Sequence, residues 1–235
     1  MSHRSQTLEA LARLLSYPTE TYVEAAELLY VILQSELPEA AKCMAEFGAF
    51  VEPRETDELE EIYARTFDIN PACALEIGWH LFGEEYTRGL LLVRLRAEMR
   101  DRGLEESAEL PDHIAHVLAL IAVMPHQDAQ RFVHACVQAA VDKMHAALDG
   151  AESPYRHVLR CLVLVLEHEF GRAESSGHDE TGAPVSLAPP QGDPLRDFPM
   201  PCGGCEPVEL VELETRGDSG ADIPTPRACQ GGNHE

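Results

Sequence analysis

Residues 63–83 read YARTFDINPACALEIGWHLFG, and the rest of the chain is organised around them. The stretch holds the only Trp and two of the seven Phe of the protein, on either side of an Asn70-Pro71 step. Such a step is typical of a helix cap followed by the first residue of a new helix. We therefore expect two helical segments that meet at a turn, with the second helix beginning directly at Pro71.

Outward from this stretch, nearly every segment as far as Phe170 repeats its apolar residues at helical spacing. Just upstream of the turn, Leu59, Tyr63 and Phe67 fall on one face of a helix. No alternating strand pattern of useful length occurs, and no two-residue hairpin turn separates apolar alternations. The sequence predicts an all-α fold, a single bundle-like domain of about eight to nine helices over residues 1–170.

The composition changes abruptly after this domain. Residues 171–235 are rich in Gly, Pro and Ser and carry 12 acidic against 4 basic side chains. Such a segment cannot bury enough apolar surface to offset its ordering entropy. We expect a disordered acidic tail, in which 198–200 and 208–213 are the only candidate docking points.

The charge of the whole chain restricts its partners. The sequence has 41 acidic and 18 basic residues, a net charge of −23. Binding to nucleic acid or to anionic lipid needs a basic surface, so both are disfavoured. The longest apolar run, 117–124, is far below the roughly 18 residues that span a bilayer. The first residues lack the uninterrupted apolar core of a signal peptide, and we expect a cytoplasmic protein without membrane insertion.

Two sequence patterns suggest metal binding. Cys202-Gly-Gly-Cys205 has a spacing that can chelate Zn²⁺ or form a redox disulfide, but only Cys229 and His234 could complete four ligands. An unliganded tail is the simpler interpretation, and these cysteines stay weak candidates. The second pattern, DHIAH at 112–116, would need a partner motif elsewhere, and its alternative is helix capping or a polar rim.

Catalytic signatures are missing from the sequence. There is no Gly-x-Ser-x-Gly elbow, no phosphate loop and no dinucleotide fingerprint. Cys73, Cys136 and Cys161 lie in apolar runs, which is typical of core residues rather than activated thiols. We expect a protein that is not an enzyme.

The polar groups around the Asn70-Pro71 step leave two interpretations open. One is ordinary helix packing around a capped turn. The other is a groove that accepts an amphipathic helix of a partner, with an acidic rim that favours a basic peptide.

Three motifs together resemble one family. They are L-x-x-x-Y-x-x-T-F-D-x-N-P at 59–71, LFG at 81–83 and ELPDH at 109–113. The chain is similar, over roughly residues 7–170, to the nitrate reductase molybdenum cofactor assembly chaperones of the NarJ type. These belong to a wider group of cytoplasmic molybdoenzyme chaperones that shares the last motif.

The resemblance implies an all-helical chaperone. Its client would be the apo catalytic (alpha) subunit of respiratory nitrate reductase, bound through the N-terminal segment of that subunit. The chaperone would hold this subunit until the molybdenum cofactor is inserted and would delay its attachment to the membrane. It would act on a molybdenum-cofactor enzyme without stably binding a cofactor itself. The alternatives are a chaperone of another molybdoenzyme, a metal or iron–sulfur carrier that uses the tail cysteines, and a cofactor-carrying helical enzyme.

The predicted site has two parts. The resemblance implies partner recognition by the ELPDH motif. The polar groups around the Asn70-Pro71 step form the second part. The predicted client-binding residues are Asp68, Asn70, His80, Phe82, Glu109, Pro111, Asp112 and His113. The predicted wall of the groove consists of Tyr63, Phe67, Pro71 and Trp79. The pattern also predicts that Pro111 opens a helix with Asp112 in its first turn.

Overall fold

A computed structural model of the chain describes residues 3–173. Residues 1–2 and 174–235 lie outside this range. The predictions for the tail, including segments 198–200 and 208–213 and the pair Cys202 and Cys205, therefore fall on residues outside the described part.

The described residues form nine helices and one 3₁₀ turn, and the predicted all-α class is confirmed. The eighth helix is continuous over residues 126–147, with a π-helical turn at Val133–Val137 between two α-helical parts. The helices are α1 (His3–Leu14), α2 (Tyr22–Leu33), α3 (Pro38–Val51), α4 (Thr56–Thr66), α5 (Ile77–Phe82), α6 (Tyr86–Asp101), α7 (Ile114–Val123), α8 (126–147) and α9 (Tyr155–Phe170), and the 3₁₀ turn is Pro71–Cys73.

The helices pack as neighbouring pairs around one apolar core. Helix α1 packs against α7 and α2, α2 packs against α3, and α3 packs against α9. The second part of α8 contacts α9, α5 and the 3₁₀ turn, so the quoted stretch 63–83 rests against the end of the bundle. No described helix combines the length and the apolar character needed to cross a membrane.

An aromatic cluster connects the quoted stretch to the bundle. The rings of Phe67 and Tyr155 lie 4.8 Å apart and those of Phe47 and Tyr155 lie 5.5 Å apart, both between centroids. The Tyr63 ring contacts the Phe67 ring at 5.0 Å. The hydroxyls of Tyr22 and Tyr155 are 3.0 Å apart, so the polar ends of these buried rings are also paired. The cluster fixes the position of α4 relative to α2, α3 and α9.

The Asn70-Pro71 step behaves differently from the prediction. The Asn70 side chain accepts a hydrogen bond from the Ala72 amide at 3.3 Å, as a cap does. However, the turn that follows ends at Cys73, and the next helix begins only at Ile77. Residues 75–77 instead pair with residues 112–114 across the fold: the Ile77 amide donates to the Asp112 carbonyl at 2.9 Å and the Ile114 amide to the Leu75 carbonyl at 2.8 Å. These long-range hydrogen bonds use backbone groups that a continuous helix would need.

The predicted start of the helix at Pro111 is wrong for the same reason. Helix α7 begins at Ile114, and His113 caps it because its Nδ1 atom accepts a hydrogen bond from the Ala115 amide at 3.2 Å. Asp112 lies before the helix, where its carbonyl serves the pairing with Ile77.

Candidate functional site

The pairing of 75–77 with 112–114 brings the stretch 63–83 and the ELPDH motif side by side, and a cleft opens next to them. Its volume is about 340 Å³. Side chains from α4, the turn after it, α5, α6 and the segment 109–113 line it. The cleft is therefore built from the stretch 63–83 and the ELPDH segment, together with one side chain from α6.

All four predicted wall residues line this cleft. Tyr63 and Phe67 present the outer edge of the buried aromatic cluster. Trp79 is half-buried, and its indole N–H donates to the Pro71 carbonyl at 3.0 Å, which ties α5 to the 3₁₀ turn. Leu75 and Leu110 complete the apolar lining, and Leu110 is exposed. This wall can receive apolar side chains of a ligand.

The rim of the cleft is acidic. Asp68 and Glu109, both predicted, are exposed at the cleft, and Glu76, which the sequence argument did not single out, joins them. Burial raises the pKa of the Glu76 carboxyl, and the neighbouring Asp112 carboxylate raises it further. An ammonium or guanidinium group in the cleft would relieve this repulsion.

One cation stands among these carboxylates. Arg88 on the first turn of α6 lines the cleft, and its Nε atom donates to Asp112 Oδ2 at 3.0 Å. The Asp112 side chain is 0% exposed, whereas that of Arg88 is 20% exposed. Neither Nη atom of Arg88 makes a hydrogen bond within residues 3–173. The buried carboxylate thus holds the guanidinium by one edge and leaves its other N–H groups available to a ligand.

Sequence reasoning missed Arg88. A signal existed, because a buried carboxylate is rarely tolerated without a cationic or hydrogen-bonding partner. Asp112 sits beside the apolar run of α7, so its placement there called for such a partner. The sequence could not say which of the many arginines would supply it.

Asp112 itself offers no surface to a ligand in this conformation. Its Oδ1 atom has no hydrogen-bond partner among the described residues. Its influence on the cleft runs through Arg88 and through the backbone pairing with Ile77. The structure therefore places this predicted site residue behind the cleft rather than in it.

The two histidines of the DHIAH pattern have structural partners. His113 lines the cleft, and burial, with a smaller effect from His116, lowers its pKa to about 4, so the ring is neutral near pH 7. His116 Nδ1 donates to the Leu110 carbonyl at 2.9 Å, and its Nε2 accepts from the Ser107 amide at 3.1 Å. Both ring nitrogens of His116 thus order the segment that carries the rim. Across residues 3–173 no group of three or more His, Cys, Asp or Glu side chains could hold a metal ion.

The remaining predicted residues lie near the cleft without lining it. Asn70 uses its side chain as a cap. His80 Nε2 is 2.6 Å from the Ala74 carbonyl, and the His80 carbonyl accepts from Lys143 Nζ at 2.6 Å, which fastens α5 to α8. Phe82 packs partly buried against the core, and Pro111 is buried. Of the eight predicted client-binding residues, Asp68, Glu109 and His113 face the cleft directly.

Residues 33–160, more than half of the chain, match the model of a family described as nitrate reductase delta subunit. The protein belongs to this family. The matched range contains both paired segments and every side chain that lines the cleft.

The curated relatives carry names of the same kind. A "nitrate reductase molybdenum cofactor assembly chaperone NarJ" of Escherichia coli K12 is 29% identical over 126 residues, which are 52% of this chain and 53% of that protein. A "probable nitrate reductase molybdenum cofactor assembly chaperone NarJ" of Bacillus subtilis is 28% identical over 170 residues, which are 70% of this chain and 90% of that protein. This chain thus spans about half the length of the E. coli relative that it matches. The resemblance to the NarJ-type family is confirmed.

Proposed function

We propose that the protein is a non-enzymatic chaperone for the assembly of respiratory nitrate reductase. It binds the N-terminal segment of the apo catalytic subunit in the cleft and holds that subunit in the cytoplasm until the molybdenum cofactor is inserted, before membrane attachment. The observation that carries this proposal is the cleft itself, an apolar wall with an acidic rim, which lies wholly within the range that matches the family. The names of the E. coli and B. subtilis relatives support it.

The wall and the rim both contribute to the affinity in this mechanism. An amphipathic helix would place its apolar side chains against Pro71, Trp79 and Leu110, the accessible apolar residues of the wall. Full burial of one leucine or phenylalanine side chain contributes about 1.5–3 kcal/mol, whereas an exposed ion pair contributes about 0–1 kcal/mol. One such apolar contact is therefore comparable with two or three ion pairs at the rim.

The acidic rim provides orientation and speed. Asp68, Glu76 and Glu109 attract the basic groups of a client segment, which raises the association rate at low salt. Arg88 has the opposite role. Its available N–H groups donate to a carbonyl or carboxylate of the bound segment and so fix its register. No step in this mechanism needs a cofactor bound to the chaperone.

Calorimetric titration tests the proposal directly. The full chain is titrated with a synthetic peptide that corresponds to the N-terminal segment of the nitrate reductase catalytic subunit, at low and at high salt. We expect saturable binding that weakens as salt rises. The corresponding peptides from other molybdoenzymes are titrated in the same way. Tighter binding of one of them would assign the protein to a different client. Absence of binding by all of them contradicts the proposal.

A matched pair of variants locates the binding in the cleft. Glu109→Gln changes the rim, whereas Glu105→Gln changes an exposed carboxylate on the same segment outside the cleft lining. We expect only the first variant to weaken binding and reduce its salt dependence. Equal effects of the two would place the peptide elsewhere.

A further inference from the structure

A second apolar surface lies on α2, away from the cleft. Leu28, Tyr30 and Val31 are 48%, 40% and 57% exposed. The residues of α2 include two glutamates, Glu24 and Glu27, and no basic side chain. Large apolar side chains at neighbouring positions on one exposed helix are uncommon unless the surface is covered by something.

Between α2 and α3 this surface deepens into a groove of about 360 Å³. The α2 side contributes Tyr30 and Val31, and the buried side chains of Ala26 and Met44 lie at the bottom. The α3 side contributes the small residues Ala45 and Gly48 beside Met44. None of the residues around this groove lines the cleft.

Gly48 has no role within the fold itself. It lies inside α3, where glycine costs about 0.5–1 kcal/mol relative to alanine. A Cβ atom at this position would have no atom within 4 Å, so neither packing nor a positive φ angle requires glycine there. What glycine does provide is room for a second backbone to approach the α3 surface closely.

The charge of the groove decides between its three possible occupants. Glu27 is the one charged side chain that lines the groove, and Glu24 lies about one turn away on α2. A second copy of this chain would bring the same negative surface to the groove. Residues 206–214 of the tail, EPVELVELE, alternate apolar residues with four glutamates and have no basic residue, so the glutamates beside the groove repel this segment too. Of the three possible occupants, a basic ligand is therefore the one that the charge favours.

Lys42, the single basic residue of α2 and α3, is already engaged. Lys42 Nζ lies 4.0 Å from Glu46, and Glu46 also accepts from His157 at 2.9 Å. Glu24 and Glu27 are exposed at the edge of α2, and neither has an ion-pair partner among the described residues. They are available to lysine or arginine side chains of a ligand.

We propose that the groove between α2 and α3 is a second binding site, which takes a basic amphipathic helix of another protein. The apolar face of that helix packs on Tyr30, Val31 and Met44, its backbone approaches α3 at Gly48, and its basic side chains reach Glu24 and Glu27. The site acts independently of the cleft, and the inference does not depend on the ligand assigned to the cleft.

The two sites can be observed separately by fluorescence. Trp79 is the only tryptophan of the chain and lies in the cleft, so it reports on the cleft. In a Tyr30→Trp, Trp79→Phe variant the tryptophan reports on the groove instead. The probe is a synthetic Leu/Lys amphipathic peptide about 18 residues long, and a peptide with Glu in place of Lys is its control. We expect saturable binding of the Lys peptide at the groove reporter and at least about tenfold weaker binding of the Glu peptide.

Blocking the groove provides the decisive comparison. Gly48→Leu fills it, and Gly89→Leu is the matched control, because Gly89 is another helical glycine with open space around its Cβ and lies outside the groove. We expect Gly48→Leu to weaken the groove signal by about tenfold or more and Gly89→Leu to leave it unchanged. Unchanged binding in Gly48→Leu overturns the proposal.

Other results would assign the groove to a different occupant. A dimer that sedimentation detects in the original chain and that Gly48→Leu abolishes would identify a second copy. A tenfold gain in probe affinity on changing Glu209, Glu212 and Glu214 to Gln would identify the tail. Either outcome overturns the proposal. If the nitrate reductase peptide gives no signal at Trp79, the proposed function of the cleft fails, and the proposal for the groove is unaffected.

Discussion

Asp112 Oδ2 lies directly against the backbone of Gly78. A Cβ atom built on Gly78 would be 2.6 Å from that oxygen and 3.1 Å from Arg88 Cγ. A side chain at residue 78 would therefore force the Asp112 carboxylate, and with it the ion pair to Arg88, to shift. This contact links α5, α6 and the ELPDH segment behind the cleft.

Gly78→Ala tests this link. The added methyl group must displace the Asp112 carboxylate, which is buried and has little freedom to move. We expect a loss of unfolding free energy of about 1–3 kcal/mol, the usual cost of overpacking, measured by urea denaturation. Gly48→Ala is the control, since its Cβ meets open space, and it should be neutral or slightly stabilising. Equal behaviour of the two variants would show that the close approach is not required.

Removing the charge of Asp112 should affect stability and binding together. Asp112→Asn keeps the shape but leaves the Arg88 guanidinium without its counter-charge. We expect destabilisation of about 1–3 kcal/mol, below the cost of breaking a fully buried pair because Arg88 is partly exposed, together with weaker binding of the client peptide. The measurements are urea unfolding and calorimetric titration of the same samples.

The double variant Arg88→Met, Asp112→Leu separates the two effects. It removes both charges, so much of the stability should return, while peptide binding stays weak because the donor in the cleft is gone. A double variant that binds the peptide normally would exclude Arg88 from recognition.

Local sequence pattern predicted most of the fold. Helical periodicity depends on neighbours in sequence, and the all-α domain that it predicted is confirmed. Tyr63 and Phe67 line the cleft, and their role as the wall of a binding groove stays a prediction. The extended pairing at Ile77 depends on Asp112, 35 residues away, and no local rule indicates it. Arg88 was missed for the same reason, because its role depends on a carboxylate from a distant segment.

Asp68 should separate binding from stability. Its side chain is exposed at the rim and makes no hydrogen bond or ion pair within the described residues. Asp68→Ala should therefore change the unfolding free energy by no more than about 0.5 kcal/mol while it slows peptide association at low salt. Stopped-flow measurements at two salt concentrations check this, with Asp149→Ala, another exposed aspartate outside the cleft, as the control. If Asp68→Ala unfolds the protein without a separable loss of binding, its assignment to the site fails.

His113 should make the protein less stable as the pH falls. Its pKa is lowered from 6.5 to about 4 in the fold, mainly by burial and further by His116, so the unfolded chain takes up this proton first. The stabilising contribution is complete above about pH 6.5 and decreases as the pH falls towards 4, by at most about 1.4 kcal/mol per pH unit. The Glu76 carboxyl has the opposite effect on stability. Because burial raises its pKa in the fold, its contribution to the unfolding free energy increases as the pH falls. Urea denaturation between about pH 7 and pH 5 should show a steeper loss for the original chain than for His113→Gln, which cannot titrate at this position. Parallel curves for the two proteins would mean that another group controls the acid sensitivity.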